Sequence, residues 1–401
     1  MDKQPGLEQI MSSVISEKID SFLNERNKKN SLRKLKKLEK ITSKIYRYNN
    51  LEVIDFSSND YLALSEEKSL KYEAEKWLKK FGTSFSASRL VSGNVKEILD
   101  LEKKIAEWKN TESAIIIGSG FLANSSVIPA LISRKGVIFA DKLNHASLNH
   151  GCIQSQAEFK RYKHLDYSHL EWMLRNSQTP EKLIVSDSIF SMDGDYADIK
   201  KLYELSKKYN AFLYIDDAHA TGVFGKYGEG SEISFIDDLS NFIIMGTFSK
   251  GMGAYGAYIA GTKKNIDFII NSCSSFIYST SLPPSVYGSI SGAIDAVQRN
   301  DIREKVKQVL EMAEILRLKL KEMNFNTGNS STQIIPIILG NNLSTLKLSE
   351  KLLKKGFYTV PIRPPTVPEN TARIRISISA KHTEEDIKNF TKSIVDSYME
   401  I

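Results

Sequence analysis

Two cysteines in 401 residues, Cys152 and Cys273, are too few for a disulfide framework and do not have metal-site spacing. They read as ordinary buried thiols of a protein in a reducing compartment. No apolar run approaches the ~18 residues that a membrane-spanning helix requires. The stretch from Met1 to Lys29 lacks the apolar centre of a secretory signal. These absences lead us to expect a cytoplasmic protein with no membrane partner. Internal repeats and low-complexity linkers are also missing, as are the aromatic interleaving and modules of nucleic-acid binders.

What is present is an ordinary globular composition, 41% hydrophobic and 26% charged, in a chain long enough for two domains. The net charge of +7 is unevenly placed. Twelve Lys/Arg against six Asp/Glu in residues 1–50 give that segment +6, and the other 351 residues carry +1. Such an arm either steers anions toward the protein or is a solubilising helix face. Residues 6–29 read as a helix, with Leu7, Ile10, Met11, Val14, Ile15, Ile19 and Phe22 at three-to-four spacing. A basic stretch, Ser31 to Lys37, follows it.

From about residue 66 helical patterns (66–80, 95–109, 121–133, 146–155, 167–176, 197–209) alternate with short apolar runs. The runs are 114–117, 136–140, 182–185, 211–215, 242–245 and 256–260. Continuous rather than alternating runs are expected of strands covered on both faces. The pattern predicts an α/β domain with a mostly parallel central sheet, whose ligands sit on the loops after the strands. The character changes near residue 285. A long amphipathic helix (303–323) leads to a strand (334–339), a helix (344–355), strands at 357–362 and 372–379, and a last helix (383–399). The period-two alternation of Arg373-Ile374-Arg375-Ile376-Ser377-Ile378 predicts one wet face. We therefore expect a basic arm (1–50), a large domain (51–288) and a smaller α+β domain (289–401).

Chemistry-bearing residues cluster just after the predicted strands. Lys250, in Gly246-Thr247-Phe248-Ser249-Lys250-Gly251-Met252-Gly253, is either a surface lysine in a loop or an enclosed amine. In the latter case its pKa would fall toward neutrality and it could form a Schiff base. Gly118-Ser119-Gly120-Phe121 is either a plain turn or a helix N-terminus open to phosphate. His145 could be a structural hydrogen bonder or a ring stacked on an aromatic ligand. Asp187-Ser188-Ile189-Phe190-Ser191-Met192-Asp193-Gly194-Asp195 fits no defensible metal spacing and reads as a turn. Asp216-Asp217-Ala218-His219 could serve acid–base work, a metal, or the pairing of a protonated ring nitrogen. A phosphate cradle, a stacking ring, a carboxylate, a histidine and a lysine together are the inventory needed to hold pyridoxal phosphate.

On these residues the chain resembles the α-oxoamine synthases, a family of fold-type-I pyridoxal-phosphate enzymes. The similarity runs from about residue 31 to the C-terminus. It is carried by Phe56-Ser57-Ser58-Asn59-Asp60-Tyr61-Leu62, Phe190 to Asp195, Asp216 to His219, Thr247 to Gly251 and Tyr278-Ser279-Thr280-Ser281-Leu282-Pro283-Pro284. Ile362-Arg363-Pro364-Pro365-Thr366-Val367-Pro368, with Thr371 to Arg375 after it, points to the branch that condenses L-alanine with a pimeloyl thioester in biotin synthesis. The resemblance implies a homodimer with shared sites. Lys250 would hold the cofactor and remove the α-proton. Asp216 would pair with the ring nitrogen, and His145 would stack on the ring and face substrate. His219 and Ser191 would lie near the phenolic oxygen. Gly120, Phe121 and Thr247 would surround the phosphate, with Thr280 reaching the phosphate of the neighbouring subunit. Arg363 would hold the amino-acid carboxylate, and Arg33 and Thr366 would contact a substrate carried on CoA or a carrier protein, both of them anionic. No metal is expected. Three places depart from the family pattern: Thr83 to Ala87, Ile98 and Ala220. They bear on the substrate more than on the cofactor. The alternatives are a sister activity with another amino acid and acyl group, such as 2-amino-3-ketobutyrate CoA ligase or an acyl-aminoketone signal synthase, and a cofactor-less anion-binding relative.

Overall fold

The computed structural model describes residues 13–400. Helix α1 (Val14–Lys28) is capped by the Ser13 hydroxyl, which accepts from the Ser16 N–H. The periodicity of Val14, Ile15, Ile19 and Phe22 falls on this helix, whereas Leu7, Ile10 and Met11 lie outside the described residues. Three short strands follow, β1 (Glu39–Lys40), β2 (Ile45–Tyr48) and β3 (Leu51–Asp55).

Helices α2 (Lys68–Phe81) and α3 (Lys96–Trp108) bury their apolar faces, and the alternation then begins. It runs β4 (Ser113–Ile117), α4 (Gly120–Leu131), β5 (Val137–Asp141), α5 (Ala146–Gln154), β6 (Glu158–Tyr162), α6 (Tyr167–Arg175), β7 (Lys182–Asp187), α7 (Ile199–Lys208), β8 (Phe212–Asp216), β9 (Phe242–Thr247) and β10 (Ala257–Gly261). The seven strands lie in the order β4-β10-β9-β8-β7-β5-β6. The sheet is parallel from β9 through β6, and β10 runs antiparallel to both neighbours. One core lies on each face of this sheet, as the continuous apolar runs predict. Strand β6 has no counterpart in the sequence reading. Its Glu158-Phe159-Lys160-Arg161-Tyr162 is polar because it is the edge strand, covered only in part.

Helices α8 (Lys263–Ser272), α9 (Ser274–Ile277), α10 (Pro284–Val297) and α11 (Asn300–Glu322) lead to the smaller layer. That layer contains β11 (Ile334–Gly340), α12 (Asn342–Lys354), β12 (Phe357–Tyr358), β13 (Val360–Ile362), β14 (Ala372–Ser377) and α13 (Glu384–Tyr398). The expected single strand at 357–362 is two strands in two sheets. β12 pairs in parallel with β3, while β13 pairs with β14 in the sheet β11-β14-β13. Phe56, immediately after β3, packs into the core of this layer between His382 and Phe390.

The wet face expected for residues 372–378 is absent, since every residue of β14 is buried. Arg373 and Arg375 instead face the loop after β7. Arg373 donates to Asp193 and to the Met192 carbonyl, and Arg375 Nε donates to the Ser191 carbonyl (2.5 Å). The polar positions of the alternation mark a seam between layers. Gly194 sits in that seam at φ +71°, and a Cβ on it would lie 2.0 Å from the Ile334 carbonyl oxygen.

Candidate active site

The site lies where β5, β7, β8 and β9 end, closed from above by β13 and β14. Beyond β9 the chain turns through Lys250. Gly246 lets this strand end pass close to its neighbours, because a Cβ there would lie 2.3 Å from the Tyr258 hydroxyl. Lys250 Nζ stands 2.7 Å from His219 Nε2. Loss of hydration lowers its pKa to about 8, against the opposing charges of Asp216 and Asp187 and with help from Arg375. A useful fraction of the amine is therefore unprotonated near neutral pH. His219 is buried, and burial followed by the charges of Lys250, Arg375 and His145 keeps its ring neutral. Its Nδ1 lies 2.7 Å from the hydroxyl of Tyr61.

The adjacent aspartates at the end of β8 take opposite directions. Asp217 turns into the protein and meets the buried ammonium of Lys109 (3.2 Å) and the Ser231 hydroxyl (2.5 Å). Asp216 faces the site. Its Oδ2 accepts from Asn124 Nδ2 (2.7 Å), and its Oδ1 accepts from the Ala218 N–H (2.9 Å). Asn124 is itself set by Tyr214, whose hydroxyl donates to Asn124 Oδ1 (2.9 Å). Asp187 is the β7 partner of Asp216. Burial and the Asp216 charge push its carboxyl well above the usual range, and its Oδ2 accepts the His145 N–H (2.7 Å). Burial lowers the pKa of His145, and its Nδ1 lies 2.7 Å from the Ser147 hydroxyl.

His164 ties together the two loops that carry His145 and Ser191. Its Nδ1 is 2.9 Å from Asp141 Oδ1 and its Nε2 is 3.0 Å from Asp195 Oδ2. Burial opposes the charge, but hydrogen bonds to the two carboxylates prevail and raise its pKa to about 10. Asp187 ends β7, and the expected turn lies within Phe190 to Asp195, closed by Phe190 N–H to the Asp195 carbonyl (3.0 Å) and Gly194 N–H to the Phe190 carbonyl (2.9 Å). No metal-holding cluster occurs among the described residues.

At the other end of the site Ser119 caps α4 by accepting from the Leu122 N–H (3.3 Å). The N–H groups of Gly120 and Phe121 lie in the first turn, where they have no intrahelical partner. Thr247 adjoins them, since a Cβ on Gly120 would be 3.9 Å from Thr247 Cβ. Phe121 is about half exposed, at 49%, and its ring lies against that of His150. Thr280 is exposed and bridges Ser88.

A cavity of about 230 Å³ is lined by Lys250, His219, His145, Ser191, Asn59 and Arg375, among others. Next to it is a groove of about 800 Å³ that includes Arg33, Lys34, Lys36, Arg363 and Thr366. Val360 and Ile362 wall both. Arg33 Nη2 donates to Thr366 Oγ1 (2.8 Å), and Arg363 Nη1 donates to the Asn30 carbonyl (2.5 Å). The structure thus gathers Arg33, Arg363 and Thr366 in the groove, outside the Lys250 cavity. The guanidinium inside the cavity is that of Arg375, to which the sequence reading gave no role. It donates to Ser191, Ser377, Asn59 and Tyr61 and has no carboxylate partner among the described residues. Asn124 was likewise given no role, and Asp187 was read only as part of a turn. The signal for Arg375 was a second arginine on the same face of β14. Asn124 lies one helical turn after Gly120, and nothing local marks it. Of the three departures, Ile98 is buried in α3 and Ala220 in the turn after β8, while Thr83 to Ala87 approach the Thr280 segment through Ala87. None lines the cavity.

The donors fit pyridoxal phosphate. Open N–H groups at a helix N-terminus beside Thr247 suit a phosphate. A carboxylate set by Asn124 suits a protonated ring nitrogen, the His145 ring a stacked face, and a lysine of lowered pKa an aldehyde.

Residues 52–394 match the model of the family described as aminotransferase class I and II. A Bacillus cereus protein named "Putative 8-amino-7-oxononanoate synthase" is 45% identical over 340 residues, covering 84% of this chain and 85% of that protein. A serine palmitoyltransferase variant from S. paucimobilis, solved with PLP and myriocin, superposes with a TM-score of 0.90 at 26% identity, covering 97% of this chain and 99% of that one. The 8-amino-7-oxononanoate synthase of Francisella tularensis gives 0.75 at 27% identity, covering 87% and 99%. With its lysine, aspartate and helix terminus converging at the ends of a mostly parallel sheet, the chain belongs to the aminotransferase class I and II family, in its α-oxoamine synthase branch.

Proposed function

We propose that the protein is a pyridoxal-phosphate-dependent acyltransferase that condenses L-alanine with a pimeloyl thioester. The products are 8-amino-7-oxononanoate, the free thiol of CoA or a carrier protein, and CO₂, in biotin synthesis. The observation that carries the reading is a small cavity holding Lys250 and Arg375, a guanidinium with no carboxylate partner among the described residues, opening beside a long basic groove. The cavity suits a small amino acid and the groove an acyl group on an anionic carrier. The Ile362-to-Pro368 stretch and the Bacillus cereus relative support alanine and pimeloyl as the pair.

When bound, the cofactor supplies an aldehyde carbon for the amino group and a protonated ring that draws electrons from the substrate α-carbon. Gly120, Phe121 and Thr247 hold the phosphate, with Thr280 serving the site of a second subunit. Asp216, set by Asn124, would pair with the ring nitrogen and keep it protonated, and His145 would pack on the ring. His219 and Ser191 address the phenolic oxygen. Arg375 fixes the alanine carboxylate by a charge-assisted pair. Lys250, its pKa about 8, takes the α-proton at Nζ and later returns it. Arg33, Arg363 and Thr366 orient the thioester in the groove, so that its carbonyl carbon meets the α-carbon and water is excluded. On this reading Arg363 serves the acyl donor, where the resemblance implied the amino-acid carboxylate; its position in the groove outside the Lys250 cavity supports the change.

The superposition on serine palmitoyltransferase favours one second reading, a sister synthase with another amino acid. Mass spectrometry after incubation with alanine, glycine and serine together, and pimeloyl-CoA or a pimeloyl carrier protein, separates the two. Dominant 8-amino-7-oxononanoate supports the first reading, and a serine- or glycine-derived ketone the second.

A further inference from the structure

Tyr61 is fully buried, yet its hydroxyl is surrounded by polar side chains, Gln333 among them. It lies 2.7 Å from His219 Nδ1, 3.2 Å from Asn59 Oδ1 and 3.3 Å from Arg375 Nη2. A phenol has one proton to give. Asn59 Oδ1, which can accept two bonds, takes one from Arg375 Nη2 at 3.0 Å and is the more distant acceptor for the phenol, and the cation beside the phenol oxygen makes it a better donor than acceptor. The shortest contact therefore takes the proton, so the Tyr61 hydroxyl donates to His219 Nδ1. A neutral imidazole that accepts at Nδ1 carries its hydrogen on Nε2. That nitrogen faces Lys250 Nζ.

We propose that Tyr61 is a positioning residue that fixes the tautomer of His219, so that the ring presents an N–H donor, not a lone pair, to Lys250 and the cavity. Tyr61 itself touches neither the cavity nor the reacting atoms. The donor has two effects. It holds Lys250 as a free amine, because an ammonium opposite an N–H would be repelled. It also leaves an oxygen-seeking hydrogen bond aimed into the cavity for the phenolic oxygen of the cofactor. Arg375, to which the proposed function gives the substrate carboxylate, shares this network through the Tyr61 hydroxyl. The inference concerns the cofactor site and holds whichever acyl group is transferred.

The charged and titratable groups facing the pair come from every surrounding element. They are Asp187 at the end of β7, Asp216 at the end of β8, Arg375 on β14 and His145 after β5. None of them changes in Tyr61→Phe, which keeps the ring and its packing.

The test uses the full-length apoprotein. The pH dependence of Lys250 modification by an amine-selective reagent, read by peptide mass spectrometry, reports the lysine titration. Nitrogen-15 shifts of labelled histidine, assigned with His219→Gln, report the tautomer. In the wild type we expect the Nε2–H form. In Tyr61→Phe the ring is free to turn its lone pair to Lys250, which stabilises the ammonium. The modification midpoint then moves to higher pH by about one pH unit, the size of one charge-assisted hydrogen bond. A lone-pair Nε2 in the wild type would overturn the proposal. So would an unchanged midpoint and tautomer in Tyr61→Phe, whatever happened to its melting temperature. Since a purely structural role would change stability alone, these readouts separate the two.

Discussion

Lys250, His219 and Asp216 stood out in the sequence because each follows an apolar run, and strand ends are where such sheets present side chains. Arg375 did not, because burial at a seam between layers leaves the same period-two trace as a solvated face. The two arginines can be told apart by kinetics. Arg375→Ala is expected to raise the KM for alanine tenfold or more, roughly the loss of one charged pair, with little change for the acyl donor. Arg363→Ala should raise the KM for the thioester instead. The reverse pattern would return the carboxylate to Arg363. His164 offers a pH test. Its folded pKa of about 10 lies above the ordinary 6.5, so its contribution to stability is fully present below pH 6.5 and is lost as pH rises toward 10. The difference in apoprotein melting temperature between wild type and His164→Asn should therefore be largest near pH 6 and fade by about pH 10. A constant difference would mean that the imidazolium is not what joins Asp141 to Asp195.

At the level of elements, the strands and helices around the site were legible because burial on both faces gives short continuous apolar runs. Edge strand β6 was not, because its exposed positions are polar. The division of 357–362 between β12 and β13 was hidden as well, since both halves have the composition of one strand. The turn after β7 shows how an element positions chemistry. It offers Ser191 to the cavity, receives Arg373 and Arg375 from β14, and passes under β11 at Gly194. Gly194→Ala meets both an unfavourable φ and a backbone clash, and should cost at least about 1–2 kcal/mol. Thermal unfolding should show a melting temperature lower by several degrees, together with weaker alanine binding. A wild-type profile would mean that the seam is looser than its contacts imply.

For the whole molecule, the basic arm and the groove belong to one electrostatic design. Arg33, Lys34 and Lys36 of the arm line the groove with Arg363, a placement that composition alone could not supply. Attraction to an anionic carrier is screened by salt, whereas the enclosed Arg375 is screened much less. Raising ionic strength from 0.05 to 0.5 M, conditions chosen about the Debye range, should raise the KM for pimeloyl-CoA severalfold and leave that for alanine nearly unchanged. Equal effects on both would separate the arm from the acyl donor. The most direct test of the central claim compares alanine-dependent thiol release from pimeloyl-CoA, or from a pimeloyl carrier protein, by wild type and by Lys250→Ala after both are shown to be folded. The account predicts release by the wild type, matched by an equal amount of CO₂, and none by the variant. Equal release by both proteins, or release without CO₂, would contradict it.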